Sequence, residues 1–134
     1  MEKLKNLLCP KFEDNELLFR AVLPESEMPF FWKMDRITSA AFKDKKGLSV
    51  YRLCDRTKET TLEIMKKDGF RGSVFSVSVK NCKDVEAVVK YLPSASNIYH
   101  SEIHGGIEQK ILSDKQAFIL SRNAKCECAS LIIF

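Results

Sequence analysis

The only two histidines of the chain flank a glutamate in His100-Ser101-Glu102-Ile103-His104. In an extended strand side chains alternate between faces, so His100, Glu102 and His104 share one of them. Two imidazoles on either side of a carboxylate suit acid–base work or metal binding. Gly105-Gly106 follows directly and would let a ligand approach the backbone closely. The same residues also read as the solvated edge of a sheet beside a glycine turn.

Arginines and hydroxyls form a second set. Arg20 is the one charge inside the apolar run Glu16–Leu23. An unpaired buried guanidinium is costly, so Arg20 must face solvent, pair with a carboxylate, or hold an anion such as a ligand phosphate. Arg36, Thr38 and Ser39 cluster in the next segment; as a strand it would place Arg36 and Thr38 on one face and Ser39 on the other. Tyr51 and Arg52 close the strand after that, and an Arg–Tyr pair can stack on and hydrogen-bond a nucleotide. The alternative for each is structural: an ion pair, a strand-edge hydroxyl, a half-buried tyrosine.

Several chemistries are excluded by what is missing. There is no Gly-x-x-x-x-Gly-Lys, no Gly-x-Gly-x-x-Gly and no Gly-x-Ser-x-Gly, which argues against a P-loop, a Rossmann cofactor site and an α/β-hydrolase. The His-x-Glu followed by Cys126-Glu127-Cys128 resembles the zinc deaminases in outline. Those use Pro-Cys-x-x-Cys, whereas here one residue separates the cysteines and no proline precedes them. No spacing matches a zinc signature, so neither metal nor cofactor is expected.

These residues need elements to position them. Glu16–Leu23, Ile37–Phe42, Leu48–Arg52, Ser73–Val79, Ile98–His104 and Cys128–Phe134 read as strands from their apolar runs or alternation. Thr57 caps a helix that stops at Asp68-Gly69, and Ser113-Asp-Lys-Gln116 opens another. Val85, Val88, Val89 and Leu92 stripe one side of a predicted helix over Lys83–Leu92. Lys3–Leu8 reads as a short helical turn, and Glu25–Asp35 as a loop or short turn anchored by Phe30, Phe31 and Trp32. The expected fold is α+β: a single compact domain over residues 1–134, with a mixed β-sheet of about five strands and three helices.

The 134 residues suffice for one domain with its own core. With 45% apolar and 30% charged residues the chain is an ordinary globular protein. A net charge of +4 permits phosphate-rich partners but is below what a dedicated nucleic-acid binder carries. No apolar run is long enough to span a membrane. The N-terminus lacks the apolar core of a signal peptide. Five scattered cysteines read as reduced thiols, which gives a cytoplasmic expectation.

The segment Arg36-Ile-Thr-Ser-Ala-Ala-Phe42 with Leu48-Ser-Val-Tyr51 resembles a signature in an uncharacterised family of small bacterial proteins, Arg-(Val/Ile)-Thr-Ser-x-Ala-Phe followed by Leu-Ser-Val-Tyr. Leu18-Phe19-Arg20, Arg36-Ile37-Thr38-Ser39, Val50-Tyr51 and the helix with Glu59 and Glu63 follow the order of ADP-ribosyltransferase and RES-type domains, a weaker likeness that covers about 50 residues at fold level. The second segment lacks the Gly-Arg-Trp of the RES pattern. This likeness implies NAD as cofactor, Arg20 on a cofactor phosphate, Tyr51 stacked on nicotinamide and Glu102 steadying a ribosyl cation. It also implies a place in a bacterial conflict locus.

Two functions follow. One is a non-catalytic interaction or accessory module that binds a protein partner, or less well a nucleic acid, through aromatics such as Phe30, Phe31 and Trp32. The other is a nucleotide-using transferase with Arg20, Arg36, Tyr51 and Glu102 around one cleft. The meeting of those four side chains separates the two.

Overall fold

The apolar run at residues 17–22 forms a strand, β1 (Leu17–Val22), in which Leu18 and Phe19 are both buried. Such a strand needs cover on both faces, and it lies inside the sheet. The computed structural model describes residues 11–131. Within them, β4 (Leu48–Arg52), β5 (Gly72–Ser78), β6 (Val88–Tyr91), β7 (His100–His104) and β8 (Lys125–Leu131) join β1 in one sheet. Its order is β6-β7-β4-β1-β5-β8. β2 (Trp32–Lys33) and β3 (Arg36–Ile37) form a separate hairpin. The helices are α1 (Lys58–Lys67), α2 (Val79–Asp84) and α3 (Asp114–Asn123). The α+β class expected from the sequence therefore holds. The sheet has six strands, and every pairing in it is antiparallel where a mixed sheet was expected.

Side-chain alternation divides the core in two. One face carries Leu18, Val22, Leu48, Val50, Val77 and Ile103, and is covered by Phe42 and by α2 and α3 through Cys82, Ala117 and Leu120. The other carries Phe19, Tyr51 and Val74, covered by Met65, Leu62 and Ile64 of α1. The helices are set by their caps. The Thr57 side chain accepts from the Thr60 amide, and Ser113 and Gln116 close a reciprocal capping box.

Three expected elements differ. The helix over Lys83–Leu92 is not formed. A second capping box, Ser78 with Asn81, starts α2 early, and Glu86 ends the segment with φ +60°. Val88–Tyr91 then pairs with β7 as an edge strand, which its β-branched residues favour. Along Ile37–Phe42 the strand ends at Ile37, and Thr38, still extended, caps the next turn. Ser39–Phe42 is a 3-10 turn that drives Ala41 and Phe42 into the core. The last strand begins at Lys125, earlier than expected. The helical turn at Lys3–Leu8 lies outside the described residues.

Cys82, Cys126 and Cys128 carry free thiols, but Cys54 is disulfide-bonded, so the cysteines are not all reduced as expected. Among the described residues no helix is long and apolar enough to cross a membrane.

Candidate functional site

β7 does what its alternation requires. The Glu102 carboxylate bridges both rings: His104 Nε2 lies 2.8 Å from Oε1 and His100 Nε2 lies 3.2 Å from Oε2. An ionised carboxylate only accepts hydrogen bonds, so each neutral ring carries its proton on Nε2 and keeps Nδ1 as the acceptor. His104 is buried; His100 and Glu102 are partly open. Burial alone would raise the Glu102 carboxyl. The hydrogen bonds from His104 and His100, with the charge each ring carries once protonated, outweigh it and hold the pKa below the usual value.

That shift has a sign in stability. A carboxyl depressed in the folded state stabilises the fold above its unfolded pKa, and the gain is lost as pH falls through the folded one. Urea melts from pH 6 downward should therefore steepen below about pH 4.5, the ordinary value for a glutamate. Glu102→Gln should flatten that part of the profile, and an unchanged slope would remove Glu102 from the titration.

Register sets the neighbours of this face. Tyr51 pairs with His100, and Ser49 and Lys90 flank Glu102 on the adjoining strands. The Tyr51 hydroxyl donates to Asp68, and burial with this acceptor pushes its pKa far above that of a free phenol. Gly47 lies against the bridge: a Cβ there would come within 2.5 Å of Glu102 Oε1 and 2.7 Å of His104 Nε2. Beside His100 opens a cleft of about 160 Å³ with Tyr51, Phe70 and Met65 among its walls.

Arg20 also lines this cleft, whereas Arg52 and Arg36 lie elsewhere. Arg20 has the opposite parity to Phe19 and Tyr51. β1 and β4 are in register only at Leu18↔Arg52 and Phe19↔Tyr51. Past that point the Arg20 guanidinium donates to Ser49 O (3.2 Å) and Ala41 O (3.4 Å). Burial lowers its pKa against the opposing pull of Asp44. Arg20 thus braces backbone at the wall of the cleft.

Arg52, expected at a ligand, is fully buried. Its Nε and Nη2 donate to both oxygens of Glu16 at 2.8 and 2.7 Å, and Nη2 also reaches Lys11 O at 2.9 Å. The guanidinium lies over the Phe12 ring at 3.9 Å and the Tyr91 ring at 4.7 Å. The physical reason is local parity: Arg52 points to the face of Val50, where only a paired cation is tolerated.

Arg36 stands on the β2–β3 hairpin, exposed. Thr38 donates from Oγ1 to Phe30 O (2.7 Å) and fastens the hairpin base, and Ser39 opens the 3-10 turn. Of the residues expected to act together, the fold joins His100, Glu102, His104 and Tyr51 on one face, places Arg20 on the wall of the cleft that Tyr51 and His100 also line, and separates Arg52, Arg36, Thr38 and Ser39 from them. Among the described residues no three His, Cys, Asp or Glu side chains are arranged to hold a metal ion.

Sequence reasoning missed the hairpin tip. Lys33-Met34-Asp35-Arg36 is a two-residue turn with φ +52° at Met34 and +67° at Asp35. Nothing in Met-Asp announces it, since such turns favour Asn-Gly. Met34 is 87% exposed and Phe30, at the hairpin base, 60%. Phe31 and Trp32, in contrast, pack against the core, and Trp32 Nε1 donates to Leu23 O at 2.8 Å. No family model matches the chain, and no curated protein or solved structure matches it.

Proposed function

We propose that the chain is a non-catalytic interaction module that docks onto a protein partner through the tip of the β2–β3 hairpin. Met34 is the observation that carries the reading. A bulky residue in the left-handed region costs of order 1 kcal/mol or more. An apolar side chain left almost wholly in water adds nothing to the fold. Such costs gather at binding surfaces, and methionine is common there because it adapts to its partner.

The charges around it name the surface. Lys33 and Arg36 sit directly opposite each other across the hairpin, a like-charge pair that weakens it. Neither is in an ion pair among the described residues. A partner with an apolar socket rimmed by carboxylates would accept Met34 and both cations at once. The apolar tip favours such a protein over a nucleic acid.

The transferase reading is weaker. It asks for Arg20, Arg36, Tyr51 and Glu102 at one cleft; Arg20 and Tyr51 line the cleft beside His100, but the Arg20 guanidinium is taken up by two backbone carbonyls and Arg36 stands on the hairpin.

Three variants test the proposal. Met34→Asn with Asp35→Gly supplies the residues that the turn prefers and should raise stability by about 1 kcal/mol. Met34→Ser and Lys33→Glu/Arg36→Glu should each weaken a captured partner by about tenfold or more, about 1.4 kcal/mol. Binding should also fall with added salt. A partner held equally by the wild type and both tip variants would overturn the reading.

A further inference from the structure

The cleft beside His100 has properties that the docking hairpin does not use. Its volume, about 160 Å³, matches an engineered 150 Å³ cavity that admits one benzene ring. Tyr51 and Phe70 form an apolar side, their rings edge to face with centroids 5.5 Å apart, and Met65 lies with them. The room is for one six-membered ring and little more.

Arg20 also lines the cleft, with its guanidinium held by Ala41 O and Ser49 O; the other polar lining is fixed in its hydrogen-bonding sense. His100 gives Nε2–H to Glu102, so the acceptor it keeps is Nδ1. Asn97 Oδ1 accepts the Tyr99 amide at 3.0 Å, which orients the side chain and leaves its NH2 without a partner among the described residues. Both residues line the cleft. Ser49, also lining it, is exposed and its hydroxyl makes no hydrogen bond to a described residue. One acceptor and one donor at the rim of an apolar slot complement a ligand edge that offers a donor beside an acceptor.

We infer that this cleft binds a single planar ring bearing a cis-amide edge, N–H next to C=O, as in a 2-pyridone or a uracil-type pyrimidine. The ring fills the space between Tyr51, Phe70 and Met65. Its N–H donates to His100 and its carbonyl accepts from Asn97. Glu102 is a positioning residue here: it fixes the His100 tautomer without touching the ligand. The inference does not depend on the hairpin, since the cleft lies on the α1 face of the sheet.

Protein-observed NMR titration with 2-pyridone, uracil, N-methyl-2-pyridone and benzene tests it. The first two should shift the amides of residues 49–51 and 97–100 saturably. N-methylation, which removes the donor, should weaken binding about tenfold or more, as a lost hydrogen bond to a desolvated acceptor does. Asn97→Asp keeps the acceptor for Tyr99 but replaces the donor by an anion, and should have a similar effect. Ser49→Phe, placed at an exposed strand position, should fill the cleft and abolish binding while the unliganded melting curve stays within a few degrees of wild type. The inference is overturned if neither 2-pyridone nor uracil saturates, if N-methyl-2-pyridone or benzene binds equally well, or if both variants bind like the wild type.

Discussion

Glu16→Gln will destabilise the fold by about 3–5 kcal/mol, the usual result of breaking a buried ion pair from one side. The Arg52 and Glu16 side chains are only 0% and 6% exposed, and Glu16 Oε2 also accepts the Cys54 amide at 2.9 Å. Glutamine keeps the shape but offers one acceptor oxygen and removes the negative charge that faces the guanidinium over Phe12 and Tyr91. Arg52→Met should cost a similar amount. The double substitution Glu16→Leu/Arg52→Met should recover much of the loss, because apolar residues of like volume often replace a buried pair without penalty. Urea denaturation of the three proteins decides the matter. A single variant that unfolds like wild type would show that the pair is dispensable.

Gly47→Ala is the second large effect, at about 3 kcal/mol from two sources. At φ +99° a side chain strains the backbone. The added methyl also meets Glu102 Oε1 and the His104 ring, and His104 is 5% exposed with nowhere to move. The Glu102–His104 hydrogen bond must lengthen or the turn must shift. The variant should therefore lower the melting temperature and shift the His104 ring resonances together. Destabilisation with unmoved His104 signals would assign the cost to the backbone alone.

What could be read from the sequence was what neighbours in sequence decide. Alternation put His100, Glu102 and His104 on one face, and caps at Thr57 and Ser113 located α1 and α3. The run from Val85 to Leu92 failed because its valines fit both a helical stripe and a strand. The choice fell to β7, whose open edge gives Val88–Tyr91 a partner. Arg52 could not be placed because its carboxylate lies 36 residues away. The Met34 turn was missed because its residues are not those the geometry prefers. Arg20 was rightly singled out as a problem, but its answer, two backbone carbonyls from different segments, has no local mark.

β1 has a consequence in time. It comes first among the described strands, yet it is interior to the sheet. Leu18 pairs with Arg52 on one side and Val77 on the other. As the chain lengthens, or as it refolds, both edges of β1 stay bare until those distant segments arrive, and each arrival must first close a long loop. An unfinished chain presents Leu-Leu-Phe-Arg-Ala-Val with no pairing partner, the kind of strand that recruits copies of itself. Assembly is therefore a race between the return of β4 and β5 and the nearest stranger, with Arg20 the one charge inside that strand to slow the latter.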